Sequence, residues 1–113
     1  MNVLDQILDH KRAEIARRRR EGRPPAPAAP PPPFVAALRS APIGLIAEVK
    51  RRSPSAGVIR DPWDPVAIAR SYAAAGAQAV SVLLDEVFFG GGEQDFRAVR
   101  AAISLPLLYK EFV

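Results

Sequence analysis

One glutamate and two lysines occupy positions from which they could transfer protons. The 113 residues include only three lysines, Lys11, Lys50 and Lys110. Lys50 closes a strand-like run at residues 45–50, in which alternation places it on the same face as Glu48. Lys110 closes another strand-like run, at residues 105–110. Because α/β folds place ligands and catalytic groups at the carboxyl ends of parallel strands, we expect Lys50 and Lys110 to reach one site if their strands are neighbours.

A less specific interpretation of the same residues also fits their spacing. Lys50 would then simply pair with Glu48 as a partly buried ion pair, and Lys110 would protect a sheet edge. Buried ion pairs are weak evidence of stability, so keeping such a pair calls for another reason. Spacing alone leaves both interpretations open. Ser53, in the polar loop predicted at residues 51–57, adds a hydroxyl near the same strand end.

The order of elements from residue 43 onward is β-α-β-α-β. Strands are predicted over residues 45–50, 79–84 and 105–110, with a loop at 85–92. Asp64 and Pro65 are typical of a helix start, and that helix should end at Gly76. The second helix carries apolar side chains at helical spacing, namely Phe96, Val99 and Ile103. Strands that alternate with helices in this way predict an α/β fold with parallel strands and right-handed crossovers.

The N-terminal third is organised differently. Residues 2–20 form a predicted amphipathic helix that Asn2 caps, with a stripe made of Leu4, Ile7, Leu8, Lys11 and Ile15. Seven of the ten residues 24–33 are proline, which predicts an extended polyproline linker. A short helix is predicted at residues 34–40. We therefore divide the chain into a helix at 1–23, a linker with a short helix at 24–42, and an α/β portion at 43–113.

Composition excludes several classes of site. The absence of cysteine rules out disulfides and thiolate sites, and a lone histidine, His10, rules out a multi-histidine metal centre. The net charge of +4 is concentrated at the N-terminus, because residues 1–23 hold seven Lys/Arg against four Asp/Glu. No apolar run approaches the roughly 18 residues of a membrane span, and the first residues do not resemble a signal peptide. We expect a soluble, cytoplasmic protein that binds neither membrane nor nucleic acid.

Three ordered motifs resemble the indole-3-glycerol-phosphate synthase family. The first runs from Leu45 through Glu48-Val49-Lys50-Arg51-Arg52-Ser53-Pro54-Ser55 to Gly57-Val58-Ile59-Arg60. The second is Ser81-Val82-Leu83, with Asp85-Glu86 and Phe88-Phe89-Gly90 after it, and the third is Leu105-Pro106-Leu107-Leu108-Tyr109-Lys110-Glu111-Phe112. The helix at 2–20 is similar to the extension that precedes the family's barrel. The resemblance covers essentially the whole chain.

This resemblance implies a fold and a reaction. The fold is the N-terminal portion of a (β/α)8 TIM barrel, preceded by a helical extension. The reaction converts 1-(2-carboxyphenylamino)-1-deoxyribulose 5-phosphate to indole-3-glycerol phosphate, carbon dioxide and water in tryptophan biosynthesis, a carboxy-lyase step. It uses no metal or organic cofactor. The only implied partner is the small phosphorylated substrate, and the sequence does not indicate whether the protein is fused to, or associates with, other enzymes of the pathway.

The resemblance also implies roles for single residues. Lys110 would be the general acid that protonates the substrate carbonyl oxygen. Lys50 would bind the anthranilate carboxylate and assist later proton transfer, and Glu48 would hold the two lysines or exchange protons with them. For substrate binding, Phe89 and Phe112 would line the apolar part of the pocket and Ser53 would add a polar contact.

The chain departs from the family pattern in sequence and in length. Arg52 stands where a small residue or lysine is usual, Leu84 replaces threonine, Val87 replaces lysine and Glu111 replaces aspartate. Only three of eight barrel strands are recognisable, so we expect the isolated 113 residues to fold poorly and to give no turnover. Formation of the fluorescent indole product by this chain alone would contradict that expectation.

Two other interpretations of the chain belong to different classes. In one, the arginine-rich helix and the proline spacer tether a small α/β module to nucleic acid or to a proline-binding partner. Steeply salt-dependent nucleic-acid binding would support this module. In the other, the chain is a non-catalytic partial barrel that acts only when it assembles with a complementary chain. A gain in helix content on mixing with a later half-barrel would support that assembly.

Overall fold

A three-stranded parallel sheet positions the residues singled out above. The computed structural model describes residues 2–112. In chain order its elements are α1 (Val3–Glu21), α2 (Phe34–Leu38), β1 (Ile46–Val49), β2 (Arg52–Ser53), β3 (Gly57–Val58), α3 (Pro65–Ala74), β4 (Ala79–Leu83), α4 (Glu86–Phe89), α5 (Glu93–Ala102) and β5 (Leu107–Lys110). The predicted α/β class with parallel strands is confirmed. The predicted first and third strands were too long, and Pro106 explains the later start of β5 because it has no N–H to donate.

The strand order is β1-β4-β5, so β4 lies in the centre. Glu48 is in register with Ser81, and Ser81 is in register with Leu108 on the other side. Lys110 pairs with Leu83, one side-chain step closer to the carboxyl edge. This register places the ends of β1 and β5 on either side of the same central strand.

Buried valine side chains pack one face of the sheet against α3 and α5. The core cluster contains Val49, Val80, Val82 and Leu84 from the strand segments, with Ala69 from α3 and Val99 from α5. Full burial of an aliphatic side chain stabilises a fold by roughly 1.5–3 kcal/mol. Because successive side chains of a strand point to opposite faces of the sheet, Glu48 lies on the face of β1 opposite to Val49. A mostly apolar strand can therefore present a carboxylate.

The helix starts follow the predicted capping chemistry. The Asp64 side chain accepts a hydrogen bond from the Ala67 N–H at 3.0 Å, and Pro65 occupies the first turn, where its missing N–H is harmless. Asn2 likewise caps α1 by accepting from the Asp5 N–H at 2.9 Å. Both caps satisfy amide groups that a helix leaves without internal partners.

The chain divides into two compact units. One holds the residues up to Pro30 together with Phe112, and the other holds the residues from Pro31 to Glu111. In α1, the predicted stripe is buried only at Ile7 and Lys11, and the Lys11 ammonium lies 3.0 Å from the Glu14 carboxylate. Residues 24–33 contain no helix or strand, as predicted. Within residues 2–112, no helix has the length and apolarity needed to cross a membrane.

Two predicted loops contain regular structure. The segment at residues 51–57 begins the antiparallel hairpin β2–β3, in which Arg52 is in register with Val58. The segment at 85–92 contains the one-turn helix α4. The prediction of plain loops was wrong because strands of two residues and a helix of four are too short to show a periodicity. Both segments follow carboxyl ends of the parallel strands.

Candidate active site

The Glu48 carboxylate lies between two lysine ammonium groups. Lys110 Nζ donates to Glu48 Oε2 at 2.9 Å, and Lys50 Nζ lies 3.6 Å from Glu48 Oε1. The strands β1 and β5 are not direct neighbours, because β4 separates them, yet both lysines reach the same carboxylate. The structure therefore brings together the three residues for which the sequence predicted proton-transfer chemistry.

The environment of Glu48 favours its ionised form. Partial burial by itself raises the pKa of this carboxyl, since a charged group loses hydration. The hydrogen bonds from Lys110 and Ser81, together with the positive charges of Lys110 and Lys50, outweigh that effect and hold the pKa below its ordinary value. An ionised Glu48 can accept hydrogen bonds from both ammonium groups but donate none.

Ser81 is a member of this cluster that the sequence analysis missed. Its hydroxyl donates to Glu48 Oε2 at 3.0 Å, and the residue is buried in the centre of β4. A lone hydroxyl in the apolar run at residues 79–84 was the available signal. That signal pointed to no partner, because the contact depends on the register of β4 against β1.

Tyr72 anchors Glu48 from the helix-covered side of the sheet. The Tyr72 hydroxyl donates to the main-chain oxygen of Glu48 at 2.8 Å. The Tyr72 side chain is partly buried. The contact fixes the backbone of β1 at the residue whose side chain faces the two lysines.

Ser53 lies in the hairpin that directly follows β1. Its hydroxyl accepts from the Ala56 N–H at 3.1 Å and lies 3.4 Å from the Ser55 hydroxyl. These bonds keep the β2–β3 turn closed and leave Ser53 partly buried. Its role in substrate binding remains a prediction.

Phe89 lies in α4, at the carboxyl edge next to β4. Asp85 starts this helix by accepting from the Phe88 N–H at 2.7 Å, and Gly90 ends it in the left-handed conformation at φ 65°. The short helix places Phe89 at the same edge of the sheet as Lys50. Asp85 and Gly90 are a capping residue and a helix terminator, so the sequence did carry the signal for α4.

Arg52 connects the hairpin to α4. Its guanidinium donates to the main-chain oxygens of Glu86 at 3.1 Å and Val87 at 2.8 Å. The side chain passes close to Gly90, where an added Cβ would lie 3.1 Å from Arg52 Nε. Arg52 thus has a structural consequence, since one arginine joins the segments that carry Ser53 and Phe89.

Replacing Arg52 with alanine is expected to loosen α4. The Glu86 oxygen already accepts from the Gly90 N–H at 3.0 Å, whereas a one-turn helix leaves its later carbonyl groups without helical N–H partners, so the guanidinium adds a bond at Val87 and a second acceptor contact at Glu86. We expect amide hydrogen exchange at residues 86–90 to become at least about tenfold faster, because two hydrogen bonds from a charged donor are lost. Exchange monitored by mass spectrometry measures this effect. The control is Arg97→Ala, which removes an exposed guanidinium from α5; equal protection in the two variants would contradict the role of Arg52.

A concave region beside the β2–β3 hairpin is poorly suited to an anionic substrate. It is an open cleft of about 470 Å³ that includes three carboxylates, from Glu86, Glu93 and Asp95, against a single arginine, Arg51. None of the six predicted site residues lines it. Within residues 2–112, no group of three or more histidine, aspartate or glutamate side chains is arranged to hold a metal ion.

Phe112 is the remaining predicted site residue. It is partly buried and belongs to the compact unit that contains α1. The structure therefore groups five of the six predicted residues within one unit, and the role of Phe112 stays a prediction.

Comparison with known proteins gives a consistent set of relatives. The family model described as indole-3-glycerol phosphate synthase matches residues 4–113. A protein of that name from Geobacillus kaustophilus (strain HTA426) is 48% identical over 123 residues, covering 98% of this chain and 43% of the relative. One from Saccharopolyspora erythraea is 48% identical over 119 residues, covering 100% and 44%, and one from Acaryochloris marina (strain MBIC 11017) is 61% identical over 69 residues, covering 61% and 23%. The chain spans less than half the length of these relatives.

Proposed function

Since this chain belongs to the indole-3-glycerol phosphate synthase family, we propose that the complete polypeptide carrying it catalyses the ring closure that gives the family its name. The substrate is 1-(2-carboxyphenylamino)-1-deoxyribulose 5-phosphate, and the products are indole-3-glycerol phosphate, carbon dioxide and water. The carboxylate of Glu48 between Lys50 and Lys110 is the observation that carries the proposal.

The three charged residues have complementary roles in this reaction. As the aromatic ring attacks the substrate carbonyl, negative charge develops on its oxygen, and Lys110 supplies the proton that neutralises it. Lys50 binds the carboxylate that later leaves as carbon dioxide. Glu48 holds both ammonium groups and exchanges protons with them. The substrate carries a carboxylate and a phosphate, so two lysines at one edge also favour its binding electrostatically.

The same proposal assigns an architecture. Residues 43–113 supply the first three strands and two helices of a (β/α)8 barrel, and residues 1–23 and 24–42 precede it as a helix and a proline-rich linker. Barrel active sites lie at the carboxyl ends of the strands, where Lys50 and Lys110 are found. In this arrangement Ser53, Phe89 and Phe112 contact the substrate from the segments that follow the strands.

The proposal is tested by assaying the complete protein with the substrate. We expect the fluorescent indole product and carbon dioxide to form in equimolar amounts. The control is the same protein with Arg97→Ala on α5, which should retain full turnover. A complete protein that is folded, as shown by its circular dichroism and cooperative unfolding, and that converts no substrate would overturn the proposal.

A further inference from the structure

Two hydrogen-bond donors and one further ammonium group meet the Glu48 carboxylate, and they are divided unequally between its oxygens. Oε2 accepts from Ser81 at 3.0 Å and from Lys110 at 2.9 Å, while Oε1 faces Lys50 at 3.6 Å. The carboxylate must therefore hold one particular rotation for each lysine to meet a different oxygen. The terminal χ3 torsion of a glutamate has a broad energy minimum, so the torsion alone does not fix the carboxylate in one orientation. A contact with another residue has to fix it.

Ser81 is the most rigid of the three groups that meet this carboxylate. The side chains of Lys110 and Lys50 are 52% and 36% exposed, and each has four rotatable bonds whose freedom opposes a fixed geometry. The Ser81 side chain has one heavy-atom torsion, and the residue is 2% exposed in the central strand. The constraint on the carboxylate therefore comes from the serine, and the lysines adapt to it.

The size of the side chain at position 81 also determines whether Lys110 can reach across β4 to Glu48. Adjacent strands lie about 4.8 Å apart, so β1 and β5 are separated by roughly twice that distance with β4 between them. Ser81 is the register partner of Glu48, and Lys110 reaches over β4 to the same oxygen that Ser81 contacts. A small side chain leaves room for this crossing, and a hydroxyl adds a donor within it.

We propose that Ser81 is a positioning residue that orients the Glu48 carboxylate so that it holds Lys110 and Lys50 on separate oxygens. The inference rests on the proposed function, because the orientation matters for catalysis only if Lys110 acts as the acid. Ser81 itself touches no substrate in this role. It acts through Glu48, and its loss should change the behaviour of that carboxylate.

The groups around Glu48 define what a titration would report. In the described part of the chain, Lys50 follows β1 and Lys110 lies on β5, and both meet the carboxylate, while Tyr72 from α3 meets the main-chain oxygen. The Ser81 hydrogen bond lowers the pKa of Glu48, so its removal should move that pKa upward. A residue that only stabilised the sheet would leave this pKa unchanged.

The test compares Ser81→Ala with the wild-type complete protein. We expect kcat to fall by roughly tenfold with little change in KM, which is the rate equivalent of one hydrogen bond to a charged group. The acidic limb of the pH–rate profile should move to higher pH. Ser71→Ala is the matched control, because it deletes a hydroxyl that bonds to the Ala67 main-chain oxygen within α3. Wild-type kcat and an unmoved acidic limb in Ser81→Ala would overturn the inference.

A second measurement separates this inference from the proposed function. Carbon-13 NMR of the Glu48 carboxyl gives its pKa in both proteins whether or not they turn over substrate. A higher pKa in Ser81→Ala supports the positioning role, and an equal pKa contradicts it. Failure of the wild-type protein to convert substrate would instead overturn the proposed function. Ser81→Thr retains the hydroxyl, and a return of the pKa toward the wild-type value in that variant supports the role as well.

Discussion

Replacing Lys110 with alanine in the complete protein should nearly abolish the proposed ring closure. The ammonium group is the proposed source of the proton for the substrate carbonyl oxygen, and its 2.9 Å contact with Glu48 holds it at the strand edge where the substrate would bind. General acid catalysis contributes about 10²–10⁴-fold to a rate. We therefore expect kcat to fall by at least about 100-fold, measured as the initial rate of fluorescent indole product formation.

Lys110→Arg separates proton donation from charge. A guanidinium can still pair with the Glu48 carboxylate, but it keeps its proton at neutral pH. The arginine variant should therefore be almost as slow as the alanine variant. Full recovery by arginine would show that only a positive charge is needed, and a near-normal rate in Lys110→Ala would refute the acid assignment. Because the Lys110 side chain is half exposed, neither change should cause a large loss of thermal stability.

The general architecture followed from local sequence signals. The apolar alternation around Glu48 predicted β1, and Asp64 with Pro65 predicted the start of α3. These features depend on interactions within a few residues, such as a side-chain cap or the two-residue period of a strand. The grouping of Lys50 with Lys110 followed from a second rule, that parallel strands end at one edge of their sheet.

The contacts that organise the site depend on tertiary register. Ser81 lies 33 residues from Glu48 and Tyr72 lies 24 residues from it, so neither contact has a local signature. A shift of β4 by one residue would turn Ser81 to the other face of the sheet. The contacts of Arg52 could not be predicted from local sequence either. The sequence shows an arginine at this position, but it does not show that its guanidinium binds carbonyl oxygens in α4.

Glu48→Gln should have the second large effect, because it leaves two ammonium groups around an uncharged amide. Glutamine keeps the shape of the side chain and an oxygen that can accept from Ser81 or Lys110. It removes the negative charge that balances Lys50 and Lys110. We expect at least about a 100-fold loss of kcat, consistent with the loss of a group engaged in proton exchange.

The stability cost of Glu48→Gln should depend on pH with a defined sign. The folded-state pKa of Glu48 is lowered from its ordinary value of 4.5. The ionised carboxylate therefore stabilises the folded state above that pH, and this contribution is lost as the pH falls through the lowered folded pKa.

Urea unfolding of both proteins, at neutral pH and in a series of steps below 4.5, measures the difference in unfolding free energy. That difference should shrink toward acid as Glu48 itself becomes uncharged. A difference that stayed constant over the series would mean that the lysines do not favour the ionised form of Glu48, and the electrostatic basis of the site would have to be abandoned.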